Sequence, residues 1–141
     1  MDLYLLITDE LLAFDIRVGD DAHVEEAEIS IKPKAASVLG GAFYELARMA
    51  IEGGFGTSED RIAIQCEMVS GETTGPWLQI DWSESGRRSG LTLIASTEIA
   101  KDVEGPVAYE LDGTFSLKVT GDCLQCRLRL PAKWVVSLLP C

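Results

Sequence analysis

Apolar residues recur at Ala35, Val38, Leu39, Ala42, Phe43, Leu46, Ala47 and Ala50, and this spacing of three and four predicts a helix with one broad buried face. Pro33 suits its first turn, and the pair Gly53-Gly54 can end it. Glu45 and Arg48 fall on a different sector from Leu39 and Phe43, so a carboxylate stands where a helix meets water or a ligand.

Ahead of this helix, residues 2 to 18 carry a mixed pattern. Leu3, Leu5, Leu6, Ile7, Leu11 and Leu12 suit a helix to about Leu12, whereas Phe14, Ile16 and Val18 alternate like a strand. Gly19-Asp20-Asp21 reads as a turn. From Glu25 to Lys32, Ile29 and Ile31 share one face of an expected short strand.

Beyond the helix, Gly53 to Asp60 is a glycine-rich connector. Ile62, Ile64, Cys66 and Met68 then alternate with polar or small residues, as do Leu78, Ile80 and Trp82, which predicts a hairpin turning at Ser70–Pro76. A polar tract, Ser83 to Ser89, is expected to end it. Leu91 to Val103 can form a second amphipathic helix, with Leu91, Ile94, Ala95 and Ile99 on one side, closed by Glu104-Gly105-Pro106. Two more strands follow: Phe115, Leu117 and Val119 point inward on one, and Leu124, Cys126, Leu128 and Leu130 on the other, up to Pro131. The apolar tail Trp134 to Leu139 is expected to pack on the body or on a partner. The expected fold is α+β, a two-layer α/β sandwich with a mixed, mainly antiparallel sheet and helices on one face. We divide it into a lead-in segment (1–24), a main domain (25–131) and an apolar tail (132–141).

Composition narrows the function. At 141 residues the chain can bury a real core as one domain. Its formal charge of -11, from 23 acidic against 12 basic residues, argues against nucleic acid or an anionic membrane as partner, because each would be repelled. A protein with a basic face is easier to accommodate. No apolar run is long enough to span a membrane, and no signal peptide opens the sequence, so a cytoplasmic location is expected. In that setting Cys66, Cys123, Cys126 and Cys141 are reduced thiols.

Candidate chemistry is sparse. His23, the only histidine, is the one potential phosphohistidine, but it lies in the acidic loop Asp20 to Glu26 and reads as a solvated loop residue. Cys123-x-x-Cys126 has the spacing of half a zinc site or a redox pair. Without a second pair, and with an offset that puts the two on opposite faces of a strand, packing cysteines are the better reading. Gly53-Gly54-Phe55-Gly56 follows a helix rather than leading into one and lacks the Lys-Ser/Thr ending of a phosphate loop.

The order of elements, with Tyr44-Glu45-Leu46-Ala47-Arg48-Met49-Ala50, Trp82-Ser83-Glu84-Ser85-Gly86 and Cys126-Arg127-Leu128-Arg129-Leu130-Pro131, resembles the ATP-binding domain of HWE-type sensor histidine kinases, within the GHKL ATPase superfamily. That family's helix motif, His-Glu-Leu-x-x-Asn-Ala, holds magnesium on the phosphates. Glu45 matches its glutamate, but Tyr44 replaces the histidine and Met49 stands at the asparagine, where a thioether is a poor ligand for a hard cation. In the second motif, Trp-x-Glu-x-Gly-Gly, Trp82, Glu84 and Gly86 match and Arg87 replaces the last glycine. Of the later Gly-x-Gly, Gly90 remains and Thr92 stands for the other. Residual nucleotide-site positions are therefore Glu45, Met49, Glu84, Gly86 and Gly90, with Glu45 catalytic if the domain is active.

The resemblance implies a degenerate histidine-kinase-type ATPase domain, kept as a docking module in two-component signalling or a phosphorelay, with no cofactor and with a response-regulator receiver domain or a second copy as partner. It is also similar to the C-terminal domain of ChpT-like histidine phosphotransferases, which do not bind ATP. The competing expectations are a working ATP- and magnesium-binding kinase domain and a structural fragment whose activity lies in other segments.

Overall fold

The computed structural model describes residues 1–26, 28–52, 61–71, 75–85, 93–120 and 123–137, with the backbone alone for 71, 93–99 and 120. The first helix, α1 (Leu3–Leu12), starts where the Asp2 side chain accepts the Tyr4 amide at 2.8 Å. It buries Leu3, Leu6, Ile7 and Leu11. Strand β1 (Ala22–Val24) follows, then α2 (Pro33–Glu52), β2 (Arg61–Gly71), β3 (Gly75–Ser85), α3 (Leu93–Leu111), β4 (Thr114–Thr120), β5 (Cys123–Pro131) and the single turn α4 (Ala132–Val135).

Strand order in the sheet is β1-β2-β3-β5-β4, with β1 parallel to β2 and every other pair antiparallel. Inward residues of successive strands meet in rows: Ile64 lies opposite Trp82, which lies opposite Cys126. These rows share one core with α1, α2, α3 and Val135 of α4. Outward positions such as Gln65, Glu67, Gln125, Arg127 and Arg129 stay exposed, so among the described residues one sheet face is covered and the other bare. The α+β sandwich expected from the alternation is the observed architecture.

The central helix buries Ala35, Leu39, Ala42, Phe43, Leu46, Ala47 and Ala50, and its buried face also takes in Gly40 and Met49. Gly40 lets α1 approach: a Cβ there would already stand in contact with Leu6 and Glu10 at 3.6 Å.

Several expectations are corrected. The strand expected at Glu25–Lys32 lies instead at Ala22–Val24; Ile29 and Ile31 are buried, but the backbone around them is clasped from outside the sheet. Ile31 N–H donates to Met1 O at 2.7 Å and Lys32 N–H to Val135 O at 2.8 Å. No strand forms over Phe14–Val18, because the Phe14 and Asp15 amides turn back onto Leu11 and Leu12 and Asp15 adopts φ 59°. Helix α3 does not stop at Glu104-Gly105-Pro106 but runs to Leu111. Val103, Val107 and Leu111, four apart, are all buried, while Pro106 sits on the exposed side where the hydrogen bond it forfeits borders solvent. The polar tract from Ser83 does not end β3 at Trp82; pairing continues to Ser85. Met68 is exposed although it shares the inward face; α4 packs chiefly on β3 and β5. On edge strand β4, Phe115 is buried and Val119 is exposed. Leu91, and the side chains of Ile94, Ala95 and Ile99, lie outside the described residues.

Candidate functional site: the cleft between α2 and α3

Helices α2 and α3 pack side by side and leave a cleft of about 310 Å³ between them. Gly41 and Ala42 of α2 keep its floor low, Val103 and Pro106 of α3 form the opposite wall, and Glu45 and Asp102 supply its charges. Among the described lining residues both charged groups are carboxylates. Such a surface repels polyphosphate unless a cation intervenes.

Glu45 is not free in this cleft. Arg48 Nη2 donates to its Oε2 at 2.6 Å and Arg48 Nε at 3.1 Å, and Arg48 Nη1 also reaches Glu52 at 3.0 Å. The hydrogen bond to Glu45, then its charge, raise the guanidinium above its ordinary range. Both Arg48 contacts fall on the same oxygen of this carboxylate. Met49, one turn further on, is 1% exposed and belongs to the apolar core; it does not line the cleft.

Glu84 is the sole buried charged side chain among the described residues, at 0% exposure. It occupies an inward position near the end of β3, opposite Ile62 and Leu124, within the polar tract expected to end the hairpin. Beside it, burial and then the Glu84 charge push the Cys126 thiol up. Glu84 does not line the cleft with Glu45, and Gly86 and Gly90 lie outside the described residues.

The remaining candidates separate as well. His23 is exposed in the middle of β1, on a strand rather than in a loop. Cys123 is exposed and Cys126 buried, on opposite faces of β5 as their offset requires. Burial pushes the Cys66 thiol up to about 12. No three His, Cys, Asp or Glu side chains gather into a metal-binding group among the described residues. No described helix is long and apolar enough to cross a membrane. Sequence reasoning missed the α3 wall of the cleft, although the spacing of Val103, Val107 and Leu111 signals a helix that outlasts Gly105 and Pro106.

These elements define the fold of histidine-kinase catalytic domains. The histidine kinase domain of the Erythrobacter litoralis EL346 blue-light activated kinase superposes with a TM-score of 0.68 at 15% identity, over 94% of this chain and 62% of that one. The chain thus spans less than two thirds of that domain, and 42% of the larger EL346 kinase structure. The catalytic domain of histidine kinase ThkA gives a TM-score of 0.63 at 13% identity, over 93% of this chain and 92% of that one. The mycobacterial sensor histidine kinase MprB gives 0.62 at 14%, over 93% and 96%. No family model and no curated protein matches the sequence. At such identities the likeness carries the fold.

Proposed function

We propose that this chain is a degenerate histidine-kinase-type ATPase domain that acts as a protein-docking module in two-component signalling, without hydrolysing ATP. The observation that carries this reading is Met49. At the position where the resembled motif places a magnesium-binding asparagine stands a thioether, packed in the apolar core at 1% exposure. Glu45 is engaged by Arg48, and the charged groups on the described cleft walls are both carboxylates. The partner that fits is a receiver domain of a response regulator with a basic docking face, given the chain's charge of -11. Exposed Leu5, Leu12, Tyr44 and Trp134 supply apolar anchors for such contact.

Calorimetric titration with a non-hydrolysable ATP analogue and magnesium tests the reading. Silence at millimolar ligand is the expected result, and micromolar affinity would overturn it. Capture of a purified receiver domain on the immobilised chain tests the partner. One observation favours the competing reading of an active ATP-binding domain: Glu45 does line a cleft between the two helices. In that case the titration gives heat, and Glu45→Gln removes it.

A further inference from the structure

A larger concavity, about 410 Å³, lies on the bare face of the sheet, away from the α2–α3 cleft. Two adjacent rungs build it. On one, Ser83, Gln125 and Lys118 stand side by side across β3, β5 and β4; on the next, Gln65, Asp81, Arg127 and Ser116 do the same. Lys118 and Arg127 are therefore diagonal neighbours on strands β4 and β5, a separation that long side chains bridge easily.

The chemistry of this patch differs from the rest of the chain. Arg127 spends only its Nε on Asp81, at 2.7 Å, which leaves its two terminal amino groups for another acceptor. Asp81 is further occupied by Gln79 Nε2 at 3.1 Å. Among the described residues Lys118 makes no ion pair, and no side-chain hydrogen bond engages Gln65, Ser116 or Gln125. Among the described lining residues Lys118 and Arg127 are the cations and Asp81 is the one carboxylate; Glu67, a second carboxylate on this face that acts on Arg127, stands outside the lining, so Lys118 is the cation that no described carboxylate offsets. Amide and hydroxyl groups surround them with both donors and acceptors.

We propose that this face is a second binding site, for a small polar molecule whose oxyanion group, a phosphate ester or a carboxylate, sits between Lys118 and Arg127. Its uncharged remainder lies along Gln65, Ser83 and Gln125. The site shares no residue with the α2–α3 cleft and stands whether or not a nucleotide binds there. The volume suits a metabolite rather than a polymer.

The experiment uses the full chain, labelled with nitrogen-15 and titrated at fixed ionic strength with inorganic phosphate and, separately, with acetate. Amides of residues 116–118 and 125–127 are expected to shift saturably with at least one anion. Saturation by phosphate alone, or at lower concentration, identifies a phosphate ester; the reverse identifies a carboxylate. Lys118→Gln should weaken the binding about tenfold, and Arg127→Gln should do likewise, while Lys101→Gln on α3 leaves it unchanged. Absence of saturable shifts with both anions overturns the proposal. So does binding that Lys118→Gln and Arg127→Gln leave intact, or that Lys101→Gln weakens equally.

Discussion

Arg48 grips Glu45 through two nitrogens, Nη2 at 2.6 Å and Nε at 3.1 Å, three residues apart on one helix. The pair is part-exposed, so its contribution to stability is small, about 0.5 kcal/mol or less. Arg48→Met should therefore barely move the urea midpoint. Because Met49 is unchanged in this variant, freeing Glu45 should not bring magnesium-dependent ATP binding. A calorimetric titration of the variant that gave micromolar affinity would show that the ion pair, and not the methionine, closes the site.

Met49→Asn tests the core directly. An amide replacing a thioether at 1% exposure loses apolar contact and must find hydrogen-bond partners within an apolar core, at a cost of about 2–4 kcal/mol. Urea unfolding reads this. A variant as stable as the parent would mean that position 49 can reach a polar cleft, and the docking reading would lose its main support.

Thiol reactivity should follow burial. Cys123 is exposed, whereas Cys66 and Cys126 are buried with raised thiol pKa values. Iodoacetamide at pH 8 should label Cys123 in the folded protein and reach Cys66 and Cys126 only in denaturant. Peptide mapping after a short pulse distinguishes the three.

The same burial sets a pH dependence. The Cys66 thiol titrates near 9.0 when unfolded and at about 12 when folded, so the unfolded chain releases its proton first as pH rises. Its contribution is fully present below pH 9 and is lost towards pH 12, with a slope of up to about 1.4 kcal/mol per pH unit. Cys66→Ala should be less stable at neutral pH and show a shallower alkaline decline in urea titrations. An equal slope in both proteins would contradict the assignment.

Gly113 joins α3 to β4 where a Cβ would fall 2.9 Å from the Arg129 carbonyl and 3.0 Å from Val107. Backbone cannot yield as a side-chain tip can. Gly113→Ala should cost about 1–3 kcal/mol, read as a lower melting temperature, with Gly105→Ala, which meets open space, as the comparison.

The sequence makes the long regular pieces plain and the short or conditional ones obscure. The rows Ile62–Cys66, Leu78–Trp82 and Leu124–Leu130 repeat every second residue, and α2 repeats every three to four, so their faces could be read directly. Strand β1 is only three residues long and is defined by a partner far along the chain, whereas the louder Ile29 and Ile31 point to a strand that the termini displace. Helix α3 survives a Gly-Pro pair because packing of Val103, Val107 and Leu111 outweighs a local breaker. Glu84 is the instructive case. The repeat of Leu78, Ile80 and Trp82 carries on to position 84 and sets its face, but that the polar tract stays in the sheet, and so buries a glutamate completely, follows from pairing opposite Ile62 and Leu124. Glu45 and its ion pair could be anticipated from helix spacing, but the cleft it borders needs the far wall of α3.

The lone parallel pairing of Ala22–Val24 with Ile62–Ile64 bears on the order of assembly. Strands β2 and β3 need close only a short turn, but β1 can reach its place only after α2 has carried the chain across the sheet, and the entropy of that long closure is met late. Kinetic control of this fold should therefore lie at its β1 edge: pulsed hydrogen exchange would find the β2–β3 amides protected first and those of β1 last.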